Sequence, residues 1–226
     1  KHQVACFRFV LCDFDPASGQ AQLVYAFDDG PEMTETITFP GAPFVFDAGR
    51  QAAVERALQL LHLIAGVSYY KAGVPSQVAV EGYAVDADTA ALVESVYLNG
   101  LGEFAYRNGL NLRGRFVLPV AGQAAAAPSL GLDAGALVAI GGGKDSLVSI
   151  EALRRAGVAQ TVTWIGGSQL IRACAERTGL DTLNIGRTLA PELFELNQQG
   201  AWNGHIPVTA VNSAIFVLAA VLRGAG

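Results

Sequence analysis

The sequence predicts an α/β chain in two parts. An N-terminal α+β domain, an antiparallel meander with helices, is followed by a parallel α/β domain. Three observations carry this. The first forty residues hold stretches of period two, rich in aromatic and β-branched residues, which is the strand signature. From residue 132 the rhythm changes to short apolar strands alternating with helices, the pattern of a parallel sheet. Between them "PVAGQAAAAPSLG" carries no charge, two prolines and an alanine run, and reads as a linker. The expected bounds are 1–118, a linker over 119–131, and 132–226.

Each element follows from local pattern. Phe7, Phe9 and Leu11 alternate with Arg8 and Val10; Leu23, Tyr25 and Phe27 with Val24 and Ala26; Ile37 and Phe39 with Thr36 and Thr38. Turn chemistry at Asp15–Gln20 and Asp28–Glu32 separates these strands. Val54, Ala57, Leu58, Leu61 and Ile64 recur at helical spacing. A second helix starts after Asp86, a good N-cap, and is ended or kinked by Gly100 and Gly102. In the second part, "GALVAIGG", "QTVTWIGG" and "DTLNIG" read as strands. Lys144–Ala156, Ser168–Thr178, "PELFELNQQG" and Val208–Arg223 read as helices, with Pro191 suited to a first turn.

Composition narrows the function classes. The 226 residues are 51% hydrophobic and 15% charged, which fits a filled core. A net charge of −5 speaks against a nucleic-acid partner, which favours a basic surface. Cys6, Cys12 and Cys174 form no CxxC pair; a reduced cytoplasmic protein without structural zinc is expected. Cys6 and Cys12 share strand parity and are assigned to packing. Ile206–Leu222 is apolar but contains Pro207, Asn212 and Ser213, so a buried helix is expected rather than a membrane span.

The chemistry concentrates in "AIGGGKDS", Ala139–Ser146. A Walker loop requires glycine five residues before the Gly-Lys pair; that position is Val138, and Asp145 stands where Ser or Thr should follow Lys144. A dinucleotide GxGxxG loop would need glycine at Ser146 and an acidic residue ending the next strand, and "TWIGG" has none. What remains is strand, G-G-G-K-D-S, helix. This resembles the SGGxDS loop of the PP-loop ATP pyrophosphatases, with Gly141 in place of the usual first serine. The resemblance implies a Rossmann-like PP-loop domain that cuts ATP between its α- and β-phosphates. Gly141, Gly142 and Gly143 would let backbone N–H groups reach phosphate oxygens at a helix start. Ser146 would donate to phosphate, Lys144 would assist, and Asp145 would hold Mg²⁺ against the phosphates.

A narrower resemblance rests on "ELNQQGAWNGHIPVTAVNSAI" (195–215), together with "AIGGGKDS", "TWIGGSQLIRACAERTGL" and "FRFVLCDFDPASG". These are similar to the ATP-dependent UDP-N-acetylmuramoyl-L-alanyl-L-glutamate epimerase (MurL) family. The likeness spans the chain and stops before the family's C-terminal part, so a chain truncated at Gly226 is expected. It implies epimerisation of the terminal L-Glu of UDP-MurNAc-L-Ala-L-Glu, a small-molecule substrate, with no membrane partner. ATP would activate the carboxylate as an adenylate, whose lost negative charge makes the α-proton removable by a base.

His205, in a loop between helices, is a candidate for that base, or for a hydrogen-bonding loop histidine. Asn203 and Asn212 are candidates for substrate binding, and Asn212 equally for bridging helices. Gly166, Gly167 and Ser168 are expected to contact the nucleotide, or to cap a helix. Trp202 suits either stacking or core packing, and His62 is assigned to structure. Glu103, Arg107, Arg113 and Arg115 form a mixed-charge cluster that reads as a solvated surface, or as an arginine pair for the substrate diphosphate. The alternatives are another PP-loop adenylating enzyme, amide-forming or tRNA-modifying, and a nucleotide-binding module without catalysis.

Overall fold

Seven strands form one mixed sheet in the order β4-β1-β2-β3-β7-β6-β5 in the computed structural model, which describes residues 4–123, 126 and 129–224. The strands are β1 (Cys6–Asp15), β2 (Gln20–Phe27), β3 (Met33–Thr38), β4 (Gln77–Val80), β5 (Ala136–Ala139), β6 (Gln160–Ile165) and β7 (Asp181–Thr188). The helices are α1 (Ala48–Ala65), α2 (Val67–Tyr70), α3 (Ala87–Gly100), α4 (Gly102–Asn108), α5 (Lys144–Arg155), α6 (Gln169–Glu176), α7 (Pro191–Gln198) and α8 (Val208–Arg223). Every element expected from pattern forms; α2 and β4 are additional. The expected linker includes 124, 125, 127 and 128, which lie outside the described residues, as do 225 and 226.

The meander β1-β2-β3 is antiparallel, as its turns require. Its faces depart from simple alternation at one point. A bulge between Phe9 and Leu11 places an extra residue in β1. A bulge reverses the parity beyond it. Phe7 and Phe9 are therefore fully buried while Leu11 is 51% exposed, and Cys12 and Phe14 pack on the core instead. Cys6 and Cys12 thus do not share a face pattern across the bulge. In β2, Val24 and Ala26 are buried as well as Leu23 and Tyr25.

The helices start and stop where their termini are satisfied. Asp47 caps α1 through the Arg50 N–H, and Asp86 caps α3 through the N–H groups of Asp88 and Thr89. α3 stops at Gly100 and α4 restarts at Gly102, as the two glycines suggest. α1 lies on β1 and β2, and α8 packs along α1. Val211, Ile215, Leu218 and Leu222 of α8 thereby join the core of the first part. A smaller core, with Val138, Ile140, Ile150, Val162, Trp164 and Ala175, lies between β5, β6, α5 and α6.

The parallel strands β5, β6 and β7 continue the meander's sheet. The junction is the antiparallel pairing of β3 with β7, Thr36 opposite Thr188 and Thr38 opposite Gly186. Beside it Arg187 pairs with Glu35, Nε to Oε1 at 2.7 Å, and its Nη2 reaches Ser68 Oγ at 3.2 Å. Burial works against the Arg187 charge, but Glu35 more than offsets this and its pKa rises.

His62 is structural, as expected. It is fully buried between Val24 O, 3.0 Å from Nε2, and Tyr83 Oη, 2.9 Å from Nδ1. A carbonyl only accepts, so Nε2 carries the proton and Nδ1 accepts from Tyr83. Burial pushes its pKa down to about 4, against a backbone bond that favours charge. The unfolded chain binds this proton near the ordinary value of about 6.5, the native chain only near the lowered one. His62 therefore withdraws stability as pH falls through that window, by up to about 3 kcal/mol, and none above it. Urea titrations at about pH 7 and about pH 4.5 should show this loss, and His62→Gln should flatten that part of the dependence.

Candidate functional site

The register of the sheet gathers the loops with chemistry on one rim. β3 runs antiparallel to β7, β2 antiparallel to β3, β1 antiparallel to β2, and β4 parallel to β1. The carboxyl ends of β5, β6, β7 and β2 therefore share a rim with the amino ends of β3, β1 and β4. Open α/β sheets bind ligands at the carboxyl ends of their parallel strands.

Gly141–Ser146 leaves β5 on this rim and opens α5. Gly142 has φ +80°, the left-handed region that favours glycine. A Cβ built on Gly141 or Gly143 meets nothing within 4 Å, so the loop faces open space. No side chain caps α5, whose N-cap is Gly143, and Lys144 and Asp145 are exposed. Uncapped N–H groups at a helix start are suited to an anion. Ser146 Oγ donates to Gly143 O at 2.9 Å, inside the loop.

The next loop, Gly166–Ser168, leaves the neighbouring strand β6. Gly166 has φ +89°, and its N–H donates to Ile185 O at 3.0 Å. Ser168 caps α6 through the Ile171 N–H at 3.4 Å, so the capping role expected of it is filled. The two glycine loops adjoin: a Cβ on Gly142 would touch Ile171 Cγ1 at 3.9 Å.

The residues 201–207 reach the same rim from the other side. The Trp202 N–H donates to Ala72 O at 3.1 Å, and Lys71 Nζ donates to Asn203 Oδ1 at 2.6 Å. Ala201 lines a cavity of about 350 Å³ with Phe27, Met33 and Ala72, at the rim ends of β2 and β3. His205 and Asn203 are exposed; Asn212 is half-buried in the second turn of α8. Trp202 is partly buried against the main core. Asp145 lies in the first turn of α5, whereas the segment carrying His205 runs along Ala72, Phe104 and Gly100.

α2 holds this rim together, which sequence reasoning missed. Ser68 bonds Arg187, Tyr69 Oη accepts from the Ala190 N–H at 3.0 Å, and Lys71, just after the helix, bonds Asn203. Lys71 is only 6% exposed, and burial lowers its pKa. In "SYYKAGVP" nothing marks this lysine as buried. The Glu103–Arg107 pair is exposed, at 2.8 Å, as are Arg113 and Arg115. Among the described residues no group of three or more His, Cys, Asp or Glu stands ready for a metal. Among them, too, no helix is long and apolar enough to cross a membrane.

Comparison with known proteins agrees with the family resemblance. A protein of Xanthomonas oryzae pv. oryzae named UDP-N-acetyl-alpha-D-muramoyl-L-alanyl-L-glutamate epimerase is 72% identical over 225 residues, 99% of this chain and 50% of that protein. Proteins of the same name from Salinispora tropica and a Micromonospora species are each 42% identical over 97% of the chain, and 49% and 50% of their own lengths. The chain spans about half the length of these curated relatives. No solved structure matches it. The family model described as the MurL N-terminal domain matches residues 1–226, and the chain belongs to that family.

Proposed function

We propose that this chain is the ATP-binding part of an epimerase that inverts the terminal L-Glu of UDP-MurNAc-L-Ala-L-Glu, coupled to conversion of ATP to AMP and pyrophosphate. The names of the three relatives support the substrate and the inversion. The observation that carries the ATP reading is the Gly141–Ser146 loop: an uncapped helix start with a left-handed glycine, on the carboxyl rim, open to solvent.

ATP enters as a cosubstrate. The N–H groups at the start of α5 hold phosphate oxygens, with Lys144 and Ser146 beside them. Asp145 would hold Mg²⁺, which would neutralise phosphate charge. Gly166 and Gly167 leave space for the nucleoside on the adjoining strand. Attack of the Glu carboxylate on the α-phosphate gives a carboxyl-adenylate and removes the charge that opposes deprotonation of the α-carbon. Pyrophosphate leaves; a base then takes the α-proton, a solvent proton delivered to the opposite face gives the D configuration, and water hydrolyses the adenylate to release D-Glu and AMP. His205 is the base proposed on this chain, at the rim and open to substrate, and Asn203 and Asn212 bind substrate polar groups.

Full-length protein incubated with ATP, Mg²⁺ and UDP-MurNAc-L-Ala-L-Glu in D₂O tests this. The expected products are D-Glu carrying deuterium at its α-carbon and AMP that forms only with substrate. AMP without inversion would mean another adenylating reaction. Neither product would mean a nucleotide-binding module.

A further inference from the structure

Lysines normally lay their stem along apolar surface and keep the charge in water. Lys71 does not, being 6% exposed. Its Nζ donates to Asn203 Oδ1 at 2.6 Å, and that oxygen also accepts from the Gly204 N–H at 2.9 Å. An ammonium has three donors, and among the described residues no carboxylate forms an ion pair with this one. A buried charge facing only a neutral amide is costly. A lysine that served only to anchor the loop would be better replaced by a neutral donor, because the Trp202–Ala72 bond already ties the loop down. An anion would supply the counter-charge, and Asn203, the partner of the ammonium, is exposed on the rim.

We infer that Lys71 is an anion-binding residue of this rim: its ammonium takes a carboxylate or phosphate oxygen of the bound UDP-MurNAc-dipeptide, aimed by Asn203 Oδ1. This rests on the proposed substrate. Asn203 then acts through Lys71 as well as at the surface of its loop.

Calorimetric titration of the full-length protein tests it, with UDP-MurNAc-L-Ala-L-Glu, UDP, L-Ala-L-Glu and ATP as ligands and circular dichroism to verify folding. Lys71→Met is expected to weaken binding of the whole substrate by on the order of 10- to 100-fold, the range for a lost charged hydrogen bond. Lys71→Arg should recover part of it, and ATP affinity should not move. A matching loss for UDP alone assigns the anion to the diphosphate; for L-Ala-L-Glu alone, to the carboxylates. Lys71→Gln keeps the test decisive if Lys71→Met does not fold. Its amide can still donate toward Asn203 but carries no charge, so this variant should fold at least as stably and bind substrate at least about 10-fold more weakly. Equal substrate affinity in wild type and a folded variant overturns the inference, and so does a loss confined to ATP. A wild type that binds ATP but not the muramoyl dipeptide removes the epimerase reading itself.

Discussion

Arg187→Met should be among the most destabilising single substitutions in the chain, at about 3–5 kcal/mol, because it leaves Glu35 buried and charged without its partner. Glu35 is fully buried and the Arg187 side chain 13% exposed, so solvent screens the pair little. The loss should appear as a lower urea midpoint. Glu35→Gln added to Arg187→Met should recover a large part of it, since the orphaned charge is then gone. A single variant within about 1 kcal/mol of wild type would mean that water reaches the pair, as at exposed ion pairs. The effect matters beyond stability. The pair flanks the β3–β7 junction, and Arg187 also holds Ser68 of α2. Weakening it should loosen the rim that carries both glycine loops.

The second large effect is on chemistry. Gly142→Val places a β-branched residue at φ +80°, where such side chains are strained by about 1–3 kcal/mol. A Cβ there meets only Ile171 Cγ1, at 3.9 Å, an ordinary contact, so the strain begins in the backbone. Relaxing φ turns the peptide N–H groups away from their common target. In the full-length protein, substrate-dependent AMP formation should fall by roughly 10²–10³, the usual cost of losing one preorganised donor to a developing charge. The melting temperature should drop only a few degrees. Unchanged AMP formation in this variant would take the phosphates away from this loop.

Much of the fold is legible because its signals are local. Asp47 and Asp86 cap helices that apolar spacing marks out, and the alternation of strand and helix after residue 132 reads as parallel strands. What escapes is what depends on distance. "QVAV" is too short for its alternation of Val78 and Val80 to mark a strand, and becomes β4 by pairing with β1. The pairing of Thr36 with Thr188 crosses some 150 residues, and neither strand's sequence names its partner. The bulge at Val10 is silent in "FRFVLCD", so the expected burial of Leu11 is reversed. The same division holds for the site. The left-handed turn at Gly142 is legible because glycine gives that backbone readily. Lys71 is not, since its burial comes from α2 and from a loop some 130 residues later.

The packing of α8 against α1 sets a timetable for the nascent chain. α1 emerges early, yet the helix that covers it follows about 140 residues later. At ordinary synthesis rates that interval is on the order of 10 s. Throughout it, the apolar surface of α1 that awaits α8 stays open to water and to neighbouring chains. The first part of the protein therefore completes its core only after the glycine-loop part has been made, which ties the order of folding to the arrival of α8.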